Sequence, residues 1–197
     1  HLGKASRNAL RSAAVLGSEF DFDLLNATWD RGVEATLGAL DELLRHRLLE
    51  ENRGTMKHDY AFTHHKIQEV VYAGMDRRRR QYVHGLVGRT IEALYGPEAE
   101  ARSGELAIHF EQGCKLDREL TEKAIHYLSR AGDQARDLYA CQEAIDYYRR
   151  ALALLKEEKR FERAARTLMK VGLTYHSAFD FGRAQRAYEQ GFAIWQR

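Results

Sequence analysis

The sequence predicts a mainly α-helical protein in two parts: a helical domain with one small β-hairpin, followed by a solenoid of helical hairpins. The chain has 197 residues, is 44% hydrophobic and contains a single proline, so little in it would interrupt helices. Its second half also contains two matching stretches. In each, a glycine precedes an alanine by twelve residues and a tyrosine by sixteen: Gly132, Ala144 and Tyr148, then Gly172, Ala184 and Tyr188.

This spacing is typical of the tetratricopeptide repeat, in which a small residue lies where two helices cross and an Ala-x3-aromatic motif follows on the second helix. The two alanines are 40 residues apart, against a usual period of about 34. We attribute the excess to longer helices around residues 156–160. The pattern therefore predicts TPR-like helical hairpins, and such solenoids usually bind other protein segments.

The proline marks the predicted domain boundary. It lies in the stretch Tyr-Gly-Pro-Glu-Ala-Glu-Ala-Arg-Ser-Gly, where Gly96 and Pro97 would stop a helix and Ser103 could start the next. We therefore predict a domain over residues 1–95, a linker over residues 96–103 and helical repeats over residues 104–197.

Three helices are predicted at the start of the first domain from the helical spacing of apolar residues. The first covers residues 5–16, and a short second helix through Leu24 would be capped by Asp21 or Asp23. Asp30 would cap the third, whose apolar stripe is Val33, Leu37, Leu40, Leu44 and Leu48.

A two-stranded hairpin over residues 48–63, with its turn at Gly54, is predicted to follow these helices. Two more helices are expected over residues 64–74 and 77–95, the second capped by Asp76. Their inward residues would be Ile67, Val70 and Val71 on the first, and Val83, Leu86, Val87, Ile91 and Leu94 on the second. Three helices followed by a hairpin is the order of elements in a winged-helix domain.

The remaining helices are predicted over residues 103–113, 120–138, 140–155, 161–177 and 181–195.

Several of these segments resemble one family. The run Ser12–Asp21, the leucines of residues 40–49, the stretch Tyr60–Tyr72 and the helix of residues 77–95 resemble the winged-helix segment of bacterial STAND-type signal-transduction ATPases. The family includes maltose-regulon-type and LuxR-type transcriptional regulators and some adenylate cyclases and kinases. In it a nucleotide-binding domain precedes the winged helix, and tetratricopeptide repeats follow.

The resemblance implies a regulatory and sensor region of a multidomain bacterial signalling ATPase. Its repeats would bind a protein or peptide partner or a small-molecule inducer. The winged-helix-like domain would contact the nucleotide-binding domain of the parent chain. The sequence begins His-Leu-Gly-Lys without an initiator methionine, which fits a piece of a longer protein. No G-x4-G-K-[ST] loop occurs in it, so the family's ATPase activity cannot be assigned to these residues.

No constellation of catalytic residues stands out, so we predict a non-enzymatic chain with no catalytic residue and no cofactor. His58, His64 and His65 lie near Asp59 and Glu69 in sequence, but only one pair has i,i+4 spacing and no third metal ligand is evident. We therefore predict no metal site. Isolated cysteines and the lack of an apolar run of about 18 residues predict a cytoplasmic protein with no membrane partner.

Nucleic-acid binding is the alternative function. Within the run of residues 77–80, Arg78 and Arg79 are candidate phosphate contacts, although four successive arginines point in different directions around a helix and favour a solvated helix start. The predicted third helix carries Glu34 and Asp41, which phosphates would repel. With a net charge of only +2, we do not expect nucleic acid as a partner. A nucleic-acid-binding winged-helix protein with a repeat-mediated dimer interface stays open.

Aromatic residues of the repeats are the candidate partner contacts. Tyr148 and Tyr188 occupy the aromatic position of the repeat and favour the core, whereas Tyr139 and Tyr175 are better contact candidates. The last helix would present Tyr188, Phe192 and Trp195 where another repeat would stack. We therefore predict partner binding at Tyr139, Tyr175, Tyr188, Phe192 and Trp195, and a homodimer through the C-terminal helix.

Overall fold

The computed structural model describes residues 2–52 and 58–196. Helices make up 78% of these described residues, which also form a small three-stranded antiparallel sheet, so the mainly α prediction is confirmed. The chain divides into two compact units. One comprises residues 1–97 with 115–117, and the other comprises residues 98–114 with 118–197.

The first unit is built around its N-terminal helix. Its elements in chain order are α1 (Lys4–Leu16), β1 (Glu19–Phe20), α2 (Phe22–Trp29), α3 (Val33–Arg45), β2 (Leu49–Glu51), β3 (Tyr60–Phe62), α4 (His65–Ala73) and α5 (Arg77–Tyr95). Helix α1 packs against all four other helices of the unit. The core where they meet includes Ala9, Ala13, Leu25, Leu40, Leu43 and Phe62.

The sheet has one strand more than the sequence predicted. Strands β2 and β3 pair antiparallel, with Leu49 opposite Phe62, but β1 pairs with the other edge of β3. The Phe20 side chain explains this third strand, because its buried ring stacks on Tyr60 with centroids 5.9 Å apart. The predicted pairing of two strands is therefore confirmed, but the third strand was not predicted. The predicted turn at Gly54 lies outside the described residues.

Helix α5 begins as predicted. The Asp76 carboxylate accepts hydrogen bonds from the backbone amides of Arg78 at 2.9 Å and Arg79 at 3.2 Å. These bonds satisfy two amides that the helix itself leaves without an acceptor.

The other predicted caps were wrong. The Asp21 carboxylate makes no cap and instead lies 3.0 Å from Nδ1 of His58, while the Phe22 amide at the start of α2 donates to Asp59 at 2.9 Å. Asp23 lies within the first turn of α2. Asp30 ends α2 in a left-handed conformation, with φ 49°, and does not cap α3. A capping acid that lies 37 residues away in sequence, as Asp59 does just before β3, cannot be recognised in local sequence.

The apolar stripes were predicted only in part. Helix α3 buries Leu40 together with Thr36, Ala39 and Leu43, while Val33 and Leu37 are exposed. Its core face is therefore rotated from the predicted one. On the last two helices of the unit, Val70 and Leu94 are exposed against prediction, whereas Val83, Val87 and Ile91 are buried as predicted.

The second unit is a series of helices in which each packs against the next. After a 3-10 helix over Gly96–Arg102 come α6 (Ser103–Gly113), a short 3-10 turn (Arg118–Leu120), α7 (Thr121–Asp137), α8 (Cys141–Glu157), α9 (Phe161–Ser177) and α10 (Phe181–Trp195). The segment predicted as a linker is thus helical. The Glu100 carboxylate attaches it to α7, lying 2.6 Å from His126 Nε2 and accepting from Arg130 Nε at 2.7 Å.

Helices α7, α8 and α9 are each 17 residues long and are separated by turns of the same form. The middle residues of the turns, Tyr139, Lys159 and Phe179, have φ of 60°, 55° and 59°. The amide after the left-handed residue bonds back into the helix, as Ala140 does to the Ala135 carbonyl at 2.9 Å, which is a Schellman arrangement. The excess over a 34-residue period is therefore spread across both helices of each pair.

The two glycines of the matching stretches lie at close helix crossings, as predicted. A Cβ on Gly132 would lie 2.6 Å from Cε1 of Tyr148, and a Cβ on Gly172 would lie 2.3 Å from Cε1 of Tyr188. Both distances are too short for carbon atoms, so each tyrosine ring occupies the space that the missing side chain leaves.

Candidate functional site

Helices α8, α9 and α10 enclose a groove of about 570 Å³ on the second unit. We call it the basic groove. Helix α9 forms its floor through Leu168, Val171 and Tyr175, and the two flanking helices supply its polar walls. Those walls comprise Arg149, Leu152, Ala153 and Lys156 from α8, and Arg183, Arg186, Ala187 and Gln190 from α10.

All the charged side chains that line the groove are positive. Arg149, Lys156, Arg183 and Arg186 line it, and no carboxylate is among its described lining residues. Two of these cations have an acid nearby: Arg149 lies 3.9 Å from Asp146 and Arg183 lies 3.2 Å from Asp180. Within residues 2–52 and 58–196, neither Lys156 nor Arg186 forms an ion pair. Such a surface raises the local concentration of anionic ligands.

Tyr175, one of the predicted contact residues, lies at the floor of this groove and is buried. Its hydroxyl accepts a hydrogen bond from Nη2 of Arg149 at 2.8 Å. The guanidinium carbon of Arg183 lies 5.8 Å from the centroid of its ring, within the range of a cation–π contact. Tyr175 therefore positions one cation from each wall while contributing its ring to the core.

Tyr139, the other predicted contact residue, is elsewhere on the unit. It is the left-handed residue in the turn between α7 and α8, and its side chain is 87% exposed. It is not among the residues that line the basic groove.

The remaining predicted residues, Tyr188, Phe192 and Trp195, come together on a second surface of the same unit. With Ala165, Met169, Glu189 and Gly191 they line a shallow apolar groove of about 410 Å³ between α9 and α10, which we call the end face. Phe192 and Trp195 are 61% and 64% exposed. Met169 was not predicted. The sequence does give one sign of it: Met169 lies 40 residues after Ser129, so the matching position is polar in the α7–α8 pair and apolar in the α9–α10 pair.

The residues 40 positions before those of the end face are buried. Tyr148, Leu152 and Leu155 correspond to Tyr188, Phe192 and Trp195, and they belong to the core shared with α9. The end face therefore repeats, on α10, the surface by which α8 receives the next helix.

Arg78 and Arg79, the predicted phosphate contacts, belong to the first unit. Both line a cavity of about 720 Å³ there, together with Arg31. The sequence did not single out Arg31, because it follows α2 while the other two begin α5, and only tertiary packing unites them.

Two of the three histidines weighed as metal ligands, His58 and His65, have other partners. His58 pairs with Asp21, and Nε2 of His65 lies 3.1 Å from Oε1 of Glu69 on the surface of α4. Among the described residues, no three His, Cys, Asp or Glu side chains are grouped so that they could hold a metal ion. Cys114 and Cys141 are free thiols.

No helix in the part of the chain that the structure describes is both long enough and apolar enough to span a membrane.

Comparison with known proteins gives one relative to report. The chain is 29% identical, over 204 aligned residues, to an uncharacterized protein of Rhizobium meliloti (strain 1021). The match covers 100% of this chain but 19% of that protein, so the chain spans about a fifth of the length of its relative. No protein-family model matches the chain, and no solved structure does.

Proposed function

We propose that this chain is a non-catalytic regulatory and protein-interaction region of a multidomain bacterial signalling ATPase, of the kind that includes transcriptional regulators. Its first unit would be a winged-helix-like domain that packs on the nucleotide-binding domain, and its second unit a TPR-like sensor. Support comes from the order of elements in the first unit, three helices and then the β2–β3 pair. Further support is the relative, in which a region like this chain forms only a fifth of a longer protein.

The basic groove is the observation that carries the binding function. Its floor is apolar, its walls carry four cations, and two of these have no ion-pair partner in the described residues. Arg149 and Arg183 are already held against Tyr175, which reduces the side-chain entropy that they would lose on binding. We propose that the groove binds an acidic peptide segment, with carboxylates placed against Lys156 and Arg186.

Binding there would regulate the larger protein by selecting one of its states. A ligand shifts a conformational equilibrium only by its difference in affinity for the two conformations. The groove involves three successive helices, so a peptide that bridges α8 and α10 would favour one spacing of the helical pairs. That preference would supply the difference in affinity between the two conformations that regulation requires.

Fluorescence anisotropy with a labelled glutamate-rich peptide tests this proposal, with a glutamine-rich peptide of equal length as the neutral probe. We expect the acidic peptide alone to bind, and the double variant Lys156→Gln/Arg186→Gln to weaken binding by about tenfold or more, since hydrogen bonds to charged groups contribute roughly 1.5–3 kcal/mol each. The control is Arg163→Gln/Arg166→Gln, which removes the same charge from α9 outside the groove.

Two results would contradict the proposal. One is equal binding of both peptides, and the other is an equal loss in the two double variants. A duplex DNA probe that binds more tightly than the acidic peptide, with a steep loss of affinity as salt rises, would favour the nucleic-acid alternative.

The end face has its own role in the proposed function. We propose that it receives a further apolar helical pair in the longer protein, and that the isolated chain instead self-associates through Tyr188, Phe192 and Trp195. Sedimentation should then show a concentration-dependent dimer that Trp195→Glu abolishes and Gln196→Glu preserves. A monomer at high concentration would show that the exposed end face does not drive self-association.

A further inference from the structure

The first unit contains a cavity of about 720 Å³ where the end of α2 meets α1 and the start of α5. We call it the arginine cavity. Its lining includes polar side chains from all three helices and the turn after α2, with two aromatic rings among them. The residues used below are Thr28, Trp29, Arg31, Arg78, Arg79 and Tyr82.

Positive charge dominates this cavity. Arg31, Arg78 and Arg79 line it against a single carboxylate, that of Asp30. In the described part of the chain, neither Arg31 nor Arg78 has an acid within ion-pair distance. Arg79 donates from Nη2 to the amide oxygen of Asn8 at 3.1 Å, which holds the third guanidinium at the wall without neutralising it.

A buried hydroxyl without a partner lies in the same wall. The Thr28 side chain is 2% exposed, and its Oγ1 makes no hydrogen bond within the described residues. Buried polar groups are nearly always hydrogen-bonded, because leaving one without a partner is unfavourable. The Oγ1 of Thr28 is the only such atom among the described side chains, and Thr28 lines the arginine cavity.

Aromatic rings complete the lining. Trp29 is half-buried and Tyr82 is exposed at the cavity. Flat aromatic surfaces bind planar organic groups by stacking, while guanidinium groups match the oxygens of a phosphate in pairs. The two types of group therefore favour a ligand with an anionic end and a planar end.

We propose that the arginine cavity binds a small phosphate monoester with a planar organic group. Arg31, Arg78 and Arg79 would hold the phosphate oxygens, and the Thr28 hydroxyl would donate to one of them. The planar group would lie against Trp29 and Tyr82. This site is separate from the basic groove, so it stands or falls independently of the proposed function.

Tryptophan fluorescence can report binding directly. The sequence has two tryptophans, so in the Trp195→Phe chain the cavity residue Trp29 is the sole tryptophan and is excited selectively at wavelengths that tyrosine does not absorb. Phenyl phosphate, inorganic phosphate and phenol are titrated at constant ionic strength. We expect a saturable change with phenyl phosphate, about tenfold weaker binding of inorganic phosphate and no saturation with phenol.

Four variants in the Trp195→Phe background locate the site. Arg78→Gln should weaken phenyl phosphate binding by about tenfold or more, while its neighbour Arg77→Gln, which does not line the cavity, should leave it unchanged. Thr28→Val should raise the melting temperature of the free protein and weaken binding, because it removes the buried hydroxyl that the ligand would satisfy. Asp30→Asn should strengthen binding, since it removes the one opposing charge.

Several outcomes would overturn the proposal. Equal losses from Arg77→Gln and Arg78→Gln would indicate a diffuse charge effect in place of a site. A Thr28→Val protein that melts higher yet binds as before would show that the hydroxyl does not face the ligand. Binding of duplex DNA without binding of phenyl phosphate would replace the small-molecule site with a nucleic-acid surface.

Discussion

The two helical pairs α7–α8 and α9–α10 share the Gly–Ala–Tyr pattern at matching positions but give its tyrosines different surroundings. Tyr148 in the first pair is completely buried, whereas its counterpart Tyr188 is only partly buried and lines the end face. Helix α9 covers the first pair, and no described element covers the corresponding face of α10. The aromatic position is therefore core or surface according to what packs next to it, and one sequence motif encodes both.

The first pair also makes polar contacts that the second lacks. The Tyr148 hydroxyl donates to Asp133 at 2.6 Å, and Lys170 from the second pair donates to both oxygens of that carboxylate at 2.8 and 2.7 Å. Burial alone would raise the pKa of Asp133, but the bonds from Lys170 and Tyr148 outweigh it and lower that pKa. Burial and then the Asp133 carboxylate raise the pKa of Tyr148. Forty residues later, Leu173 stands at the position of Asp133.

Truncating the two tyrosines should give the largest contrast. We expect Tyr148→Ala to lower the free energy of unfolding by about 3–5 kcal/mol, the usual cost of deleting a buried aromatic ring. Tyr188→Ala should cost less than about half of this, since its ring already contacts solvent. Urea unfolding of both variants measures the difference. Equal costs would mean that the end face is as well packed as the interior of the unit.

The glycines that face these rings should give the next largest effect. A methyl group at Gly132 would overlap the enclosed Tyr148 ring, and overpacking of a core typically costs about 1–3 kcal/mol. The same change at Gly172 meets Tyr188, which can rotate toward solvent. Gly132→Ala should thus destabilise the protein, and Gly172→Ala should be nearly neutral because alanine also favours the helix by about 1 kcal/mol.

Thermal unfolding of the two alanine variants checks this expectation. Combining each with alanine at the facing tyrosine supplies the control, because removing the ring should abolish the penalty at Gly132. If that penalty persists with Tyr148→Ala, the strain arises from the helix backbones and not from the ring.

The elements of the two units differ in how well they could be predicted from the sequence. Helix bounds in the second unit were predicted closely, because apolar spacing and the repeated Gly–Ala–Tyr pattern are local signals. Strand β1 was missed, since two residues such as Glu19 and Phe20 cannot display an alternating pattern. The face of α3 was predicted only in part, because the leucines at 37 and 40 are equally apolar and packing against α1 decides that only Leu40 is buried.

The candidate site was harder to predict than the fold. Tyr175 was singled out, but the cations around it were not, since they lie on two helices about thirty residues apart. A weak signal exists: Arg149 and Lys156 are seven residues apart on α8, and Arg183 and Arg186 are three apart on α10, so each pair shares a helix face. Nothing local shows that these faces converge. The same is true of Arg31 and Arg78 at the arginine cavity.

The contribution of the Lys170–Asp133 ion pair to the stability of the protein should depend on pH. Asp133 has a lowered pKa in the folded protein, so its contribution is present above its ordinary pKa and is lost as the pH falls through the folded value. Lys170→Met should cost about 1 kcal/mol at neutral pH, allowing for the partial exposure of the pair. The difference from the unmodified protein should shrink as the pH falls through the lowered pKa of Asp133, because the carboxylate then becomes protonated.

Urea unfolding at a series of pH values measures this difference. In an Asp133→Asn background the lysine substitution should have little effect at any pH. A cost that does not change between neutral and acidic conditions would assign the role of Lys170 to packing of its aliphatic chain on Tyr148.

The turns between helices should show the smallest effect, because there the pairs are alike. Lys159 joins α8 to α9 in a left-handed conformation with φ 55°, which costs a residue with a Cβ roughly 1–2 kcal/mol. Glycine avoids this cost but loses about 0.5–1 kcal/mol of backbone entropy on folding. Lys159→Gly should therefore stabilise the protein by about 0.5–1 kcal/mol. The bonds that close the turn, from Lys159 N to Lys156 O and from Arg160 N to Leu155 O, remain possible.

Lys159→Ala is the matched control, because it shortens the side chain yet keeps the Cβ, and it should leave the melting temperature unchanged. Equal stabilisation by both substitutions would show that the lysine side chain, and not the backbone conformation, destabilises this turn.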